Sequence, residues 1–320
     1  MKKIAVEEHF WTDDFRDYLR SNWSQTPVSA SSPGQDEINK LLVDFDQRIK
    51  GMNSSGIEGQ ILTLGFPGVE GWDVVESIKW SKKTNDDLAT LIQSHPGRFY
   101  GLAAIPVQDP KAAVQEMERA VKKLGLKGVQ INSHVRGEYL DDRKYWSIFE
   151  QAERLEIPIY IHPRTPSPDM EKPYKAYPGL SAAMLGFGAE VHLHVLRLIL
   201  SGLFDEFPKL KVVIGHMGEA LPYWLWRIDN HFDRTELPKR LGREPSQYFK
   251  DNFMITTSGM FWQPAFLCAY LTLGADNIMF AVDYPHESNE VGVKFIEEIP
   301  VSDKDREKIC HINAENTFKL

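Results

Sequence analysis

The sequence predicts an α/β fold, a (β/α)8 TIM barrel that takes up residues 1–320 as a single domain. Eight short apolar or β-branched segments recur along the chain, helical patterns separate them, and polar residues stand at the ends of several. The length agrees, because 320 residues could hold two domains but α/β barrels routinely reach this size as one.

The strand candidates are short and bounded by turn residues, and each hands over to a helical pattern. Lys3–His9 comes first and precedes the helical candidate Asp36–Asn53. Gly59–Leu64 leads to Asp73–Ser94, and Phe99–Ile105 to Pro110–Lys123, where Asp109 reads as an N-cap with proline at the first helical position. Gly128–Ile131 is followed by Asp142–Arg154, Pro158–His162 by Ala189–Leu203, and Lys211–His216 by Glu219–Phe232. Phe253–Thr257 with Pro264–Leu273, then Ile278–Asp283 with Asn289–Ile299, complete the set. Ser21–Gln35 is the most loop-like stretch and, following the first strand, is expected near the barrel mouth. A doubly wound sheet would usually place a glycine-rich phosphate loop near the first strand, and none is present.

Bulk properties narrow the partners. The chain is 42% hydrophobic and 26% charged, with a formal net charge of −8. That balance gives no electrostatic reason to expect nucleic acid. Cys268 and Cys310 lie far apart in no metal-like or redox-like spacing, so the expected compartment is the reducing cytoplasm. Met1-Lys2-Lys3 could open a signal peptide, but Glu7 and Glu8 cut the apolar stretch short. The best bilayer candidate, Val195–Phe204, is short and contains Arg197, so no membrane partner is expected. A small substrate is.

Chemistry is read from the strand ends. Glu7 and His9 stand two apart, so alternation points both to one face and sends Glu8 to the other, where it reads as an ordinary structural residue. His162 ends the fifth strand, His216 the sixth and Asp283 the eighth. Barrel enzymes build their sites at this C-terminal rim, where strands distant in sequence converge. Carboxylates and imidazoles together suit one divalent metal ion, zinc or manganese, and an incomplete shell leaves room for substrate. Any one of these residues alone would more often bond a neighbouring loop; their agreement in one rim is the argument. His192 and His194 sit in a helical stretch and read as packing or capping residues. His134 reads as a solvated loop histidine, and His286 is near enough to Asp283 to reach the mouth. Phe10, Trp11, Tyr223, Trp224 and Trp262 fit a flat aromatic ligand and an ordinary core equally well.

The ordered set of these residues resembles the amidohydrolase superfamily. Within it the chain is similar to the decarboxylating branch of γ-resorcylate, 2,3-dihydroxybenzoate and 5-carboxyvanillate decarboxylases. The resemblance is carried by Glu7-Glu8-His9-Phe10, by Lys127 to His134 with Gly137 to Asp142, and by Tyr160-Ile161-His162-Pro163-Arg164-Thr165. Gly215-His216-Met217-Gly218-Glu219 through Trp224, and Ala281-Val282-Asp283-Tyr284-Pro285, extend it. It implies that Glu7, His9, His162 and Asp283 hold the metal and that His216 and Glu219 form a pair beside the substrate. Arg227, in Trp226-Arg227-Ile228-Asp229, would hold a substrate oxygen or form a structural ion pair. It also implies a homodimer or homotetramer. Two departures bear on activity: the chain opens with Glu-x-His where many hydrolytic relatives have His-x-His, and no carboxylated-lysine signature can be located.

The implied reaction is non-oxidative decarboxylation of a hydroxylated aromatic acid of the ortho-hydroxybenzoate type, with Asp283 delivering a proton to the ring carbon that bears the carboxylate. The same ligands could instead support hydrolysis of a lactone or amide through an activated water. A barrel that has lost catalysis and serves only as a binding protein is the third class, against which the intact ligand set argues.

Overall fold

The computed structural model describes residues 1–22, 34–232, 234–236 and 241–320, so most of the expected Ser21–Gln35 loop lies outside the described residues. Eight parallel strands form a barrel: β1 (Ile4–Phe10), β2 (Gly59–Leu64), β3 (Phe99–Gly101 and Ala103–Ala104), β4 (Val129–Asn132), β5 (Ile159–His162), β6 (Val212–Ile214), β7 (Phe253–Thr256) and β8 (Ile278–Met279). β3 breaks at Leu102 because the strand changes partners there. Leu102 N donates to Leu62 O of β2, and Ala103 N then donates to Gly128 O ahead of β4, both at 2.9 Å. The ring closes where Val6 N donates to Phe280 O at 2.9 Å and His9 N to Tyr284 O at 2.8 Å.

Most helices agree with the expected ones to about a turn or less at their ends. Asp36–Asn53 is a correction. It divides into Gln35–Leu41 and Phe45–Ser55, and Asp44 restarts the second helix by accepting from Gln47 N at 2.9 Å. β8 is also shorter than expected, since Phe280 to Asp283 leave the ladder with β7.

Two apolar layers hold the barrel. Ile4, Val6, Ile61, Tyr160, Val213 and Met279 point inward and pack together, and Ala314 and Phe318 of the helix Asn313–Phe318 join them. Alternate residues, among them Ala5, Leu62, Ile131, Ile161 and Ile255, face out into a larger layer beneath the helices. Each fully buried Val, Leu or Ile contributes ~1.5–3 kcal/mol.

One run is longer and more apolar than expected. Pro178–Leu200 would pass for a membrane span by length and composition. The regular α-helix in it covers only Gly186–Leu200 and buries Val191, Val195, Leu198 and Ile199 in the outer layer, so it is a core helix of the barrel.

Candidate active site

Backbone irregularity at the ends of β1, β6 and β8 aims the site residues. In β1 the register shifts between Val6 and Glu8, and Glu7 is the extra residue, with φ 71°. Strict alternation from the inward Ile4 and Val6 would have turned Glu8 inward and Glu7 and His9 outward. The bulge reverses the phase, and Glu7 and His9 enter the barrel mouth. Glu8 does face the other way, yet it is far from idle. Its buried carboxylate accepts from Val282 N at 2.8 Å and Tyr284 N at 3.0 Å, the two amides that bracket Asp283. Asp283 itself has φ 79°.

Glu7 is fully buried. Its Oε2 accepts from three hydroxyls, those of Tyr160 on β5, Thr256 on β7 at 3.1 Å and Ser258. Gly215 makes room for it, because a Cβ there would stand 2.6 Å from Oε2. Its Oε1 is buried with no hydrogen-bond partner among the described residues.

That orphan oxygen faces two imidazoles and stands near a third. His162 Nε2 is 3.6 Å from it and His216 Nε2 3.8 Å. His9 Nε2 lies 3.0 Å from Asp283 Oδ1, its ring edge-on to that of His162 with centroids 4.7 Å apart. His216 Nε2 is 3.5 Å from Asp283 Oδ2. The second nitrogen of each imidazole is anchored from outside the ring of ligand atoms. His9 Nδ1 meets Thr63 Oγ1 at 2.9 Å, His162 Nδ1 meets Asn132 Oδ1 at 2.8 Å, and His216 Nδ1 meets Glu219 Oε1 at 2.7 Å. Anchoring one ring nitrogen to present the other is how metal-binding histidines are held. Glu7, His9 and His162 bring ligand atoms within 4.8 Å of one another, and so do Glu7, His216 and Asp283. A buried acceptor without a donor, ringed by imidazole nitrogens, fits a cation.

The electrostatics agree. Burial works to strip the proton from His216, but Glu219, Glu7 and Asp283 hold it well above the ordinary imidazole range. Burial, with His9 alongside, pushes His162 well below that range. Burial works to raise Asp283, and hydrogen bonds from His216 and His9 override it and hold the group low. Glu7 is pushed up by burial. Two carboxylates and three imidazoles so enclosed are a site a divalent charge would settle.

His216 opens an unusual segment. His216, Met217, Gly218, Glu219 and Ala220 all have left-handed backbone, with φ of 49°, 58°, 76°, 50° and 62°. A non-glycine residue there costs ~1–2 kcal/mol. The turn lets His216 Nδ1 and Glu219 Oε1 meet, and Glu219 O faces His192 Nδ1 at 3.1 Å.

The structure therefore brings together Glu7, His9, His162, His216, Glu219 and Asp283. It groups His216 with Glu7 and Asp283, two of the four expected ligands. It does not bring Arg227 there. That residue is exposed on the helix Leu221–Phe232 and makes no hydrogen bond or ion pair among the described residues. His134 is a correction, being buried rather than solvated, with Nε2 3.0 Å from Thr165 O and Nδ1 accepting from Gly137 N. His194 is a packing residue as expected, held by Ser133 Oγ and Leu140 N. His286 reaches the mouth, its ring 5.6 Å from that of His9. Sequence reasoning missed Thr63, Tyr160, Asn132, Thr256 and Ser258. Tyr160 could have been found, since it stands two residues before His162 on one strand and so shares its face.

The amidohydrolase family profile matches residues 63–320. A γ-resorcylate decarboxylase from Polaromonas sp. strain JS666 is 38% identical over 99% of this chain and 98% of its own length. The crystal structure of 5-carboxyvanillate decarboxylase from Sphingomonas paucimobilis superposes with a TM-score of 0.95 at 35% identity, over 100% of this chain and 99% of that one. A dihydroxybenzoic acid decarboxylase from Polaromonas sp. JS666, solved with bound manganese and the inhibitor 2-nitroresorcinol, gives 0.91 at 37% identity, over 100% and 97%.

Proposed function

The chain belongs to the amidohydrolase family, and on that footing we infer that it is a metal-dependent decarboxylase of hydroxylated benzoic acids. The observation that carries the reading is the orphan Glu7 Oε1, buried among the Nε2 atoms of His162 and His216 and close to the His9–Asp283 pair. The relative solved with manganese and a nitro analogue of a dihydroxybenzene supports both the ion and the class of ring.

We assign Glu7, His9, His162 and Asp283 as ligands of one divalent ion, manganese in preference to zinc. When bound, the ion supplies a Lewis acid and a template for the substrate's carboxylate and neighbouring phenolate oxygen. The rest falls to the chain's own residues. Asp283, a carboxylate in the free protein, takes up the proton that the substrate's phenol gives up on binding and hands it to the ring carbon that bears the carboxylate. That carbon becomes tetrahedral, its bond to the carboxylate breaks, and carbon dioxide leaves as aromaticity returns. One proton enters for each carbon dioxide released. His216, held by Glu219, orients the phenolic oxygen.

Three further assignments belong to this reading. Residues 1–320 act as one domain. The enzyme works in the cytoplasm, which its two free cysteines suit. It assembles as a homodimer or homotetramer through the helix Leu221–Phe232, which exposes Tyr223, Trp224 and Trp226 beside Arg227. Arg227 would then serve substrate only from such an interface.

The test is carbon dioxide release from a panel of hydroxybenzoates, using protein whose metal content has been assayed. Metal-dependent release is expected. No release from metal-loaded protein, with turnover of lactones or amides instead, would replace decarboxylation with hydrolysis.

A further inference from the structure

We propose that Glu70 and Asn132 form a positioning relay that dictates which nitrogen of His162 carries its proton. Glu70 lies in the segment after β2 and is buried. Its Oε1 accepts from Asn132 N at 2.8 Å and Asn132 Nδ2 at 3.2 Å. Its Oε2 accepts from Asn132 Nδ2 at 3.1 Å and from Val69 N at 2.9 Å.

The logic passes from donor to acceptor along the chain of contacts. A carboxylate can only accept, so the Asn132 side chain must turn its NH2 toward Glu70. Its carbonyl oxygen then has one direction left, toward His162 Nδ1 at 2.8 Å. A carbonyl oxygen can also only accept, so His162 must carry its proton on Nδ1. The lone pair is thereby fixed on Nε2, the atom 3.6 Å from Glu7 Oε1. Gln130 Nε2, which donates to Leu64 O at 3.0 Å, also faces Asn132 Oδ1, as an acceptor there requires.

His9 is anchored less strictly, by the Thr63 hydroxyl, which can donate or accept. For His162 the deciding charge sits one residue further out, and room for it is built in. A Cβ on Gly68 would stand 2.1 Å from Asn132 Nδ2 and 2.4 Å from Glu70 Oε2, and its φ of 64° already favours glycine. The relay deepens the metal reading of this site, and rests on it for what the Nε2 lone pair binds. Its own content, the tautomer, is independent of any ion.

Two measurements test it. Long-range proton–nitrogen correlation spectra of metal-free protein labelled with 15N-histidine read the His162 tautomer directly. Titration of the same protein with Mn2+, following the free ion by its paramagnetic resonance, reads affinity. Wild type should show the Nδ1-protonated form. Glu70→Gln, whose amide no longer forces the Asn132 orientation, should show mixed tautomers and bind Mn2+ ~10–100-fold more weakly, with turnover recovering at saturating Mn2+. Glu70→Asp, still acceptor-only, should keep the wild-type tautomer. Nε2 protonation in wild type, which needs no variant, would overturn the relay. So would a Glu70→Gln protein with unchanged tautomer and Mn2+ affinity. Wild type with the expected tautomer but no Mn2+ binding would instead defeat the metal reading and leave the relay standing.

Discussion

Replacing Glu8 with glutamine removes one acceptor oxygen at a place where both oxygens face backbone amides. Burial pushes the Glu8 carboxyl up to about 8, but acid and carboxylate alike keep two oxygens able to accept, whereas an amide keeps one. In Glu8→Gln either Val282 N or Tyr284 N, at 2.8 and 3.0 Å in the wild type, is left facing an NH2 group. A buried donor stripped of its partner costs about 1–3 kcal/mol. The loss is local to Asp283, whose left-handed conformation those two amides frame. A misplacement near 1 Å is worth on the order of a hundredfold in rate. Glu8→Gln should therefore lower the unfolding free energy in urea by about 1–3 kcal/mol and cut kcat by roughly ten- to a hundredfold at saturating Mn2+. Wild-type kcat together with wild-type stability would show that Glu8 does not hold Asp283 in place.

The other predictions are simpler. Asp283→Asn should keep its melting temperature and lose turnover; near-normal activity would remove Asp283 as the proton donor. His162→Ala should purify with less bound metal, and an unchanged stoichiometry would strike His162 from the ligand set. Burial pushes His194 down to about 3 and His134 down to about 4. Both are neutral in the fold and would gain a proton on unfolding below the ordinary histidine value of about 6.5. Their contribution to stability is therefore full above that pH and declines as the pH falls toward their folded values. The loss is at most ~1.4 kcal/mol per pH unit for each group. Unfolding free energies measured between about pH 6.5 and 5 should slope accordingly, a flat profile would show that neither is held neutral in the fold, and half the slope that one of them is already charged.

Much of the barrel was legible because strand and helix periods are local properties of the chain. Glu7 and His9 sharing a face was legible for the same reason. Which face was not, because the bulge at Glu7 reverses the phase of β1 and nothing in Ile4-Ala5-Val6-Glu7 announces it. The left-handed run from His216 to Ala220 was equally hidden, since only Gly218 among its residues favours that conformation. Glu70 lies in a segment without periodicity, and its partner Asn132 is distant in sequence, so the contact exists only once β2 and β4 stand in one ring. His134 looked like a loop residue and is one, but the segment folds back and covers it. Arg227 carried a family resemblance to a position that a single chain leaves in solvent.

The left-handed turn at residues 216–220 has a bearing on the order of folding. A stretch whose own preference runs against its final shape cannot nucleate anything. It must wait for β6, β7 and the helix Gly186–Leu200 to close around it, so the rim matures after the wall. Ala220 is exposed at φ 62°, and Ala220→Gly relieves part of the opposition. If the turn is absent from the folding transition state, that change should slow unfolding about fivefold for each ~1 kcal/mol regained and leave the refolding rate as it was. Faster refolding would place the turn among the first structures to form.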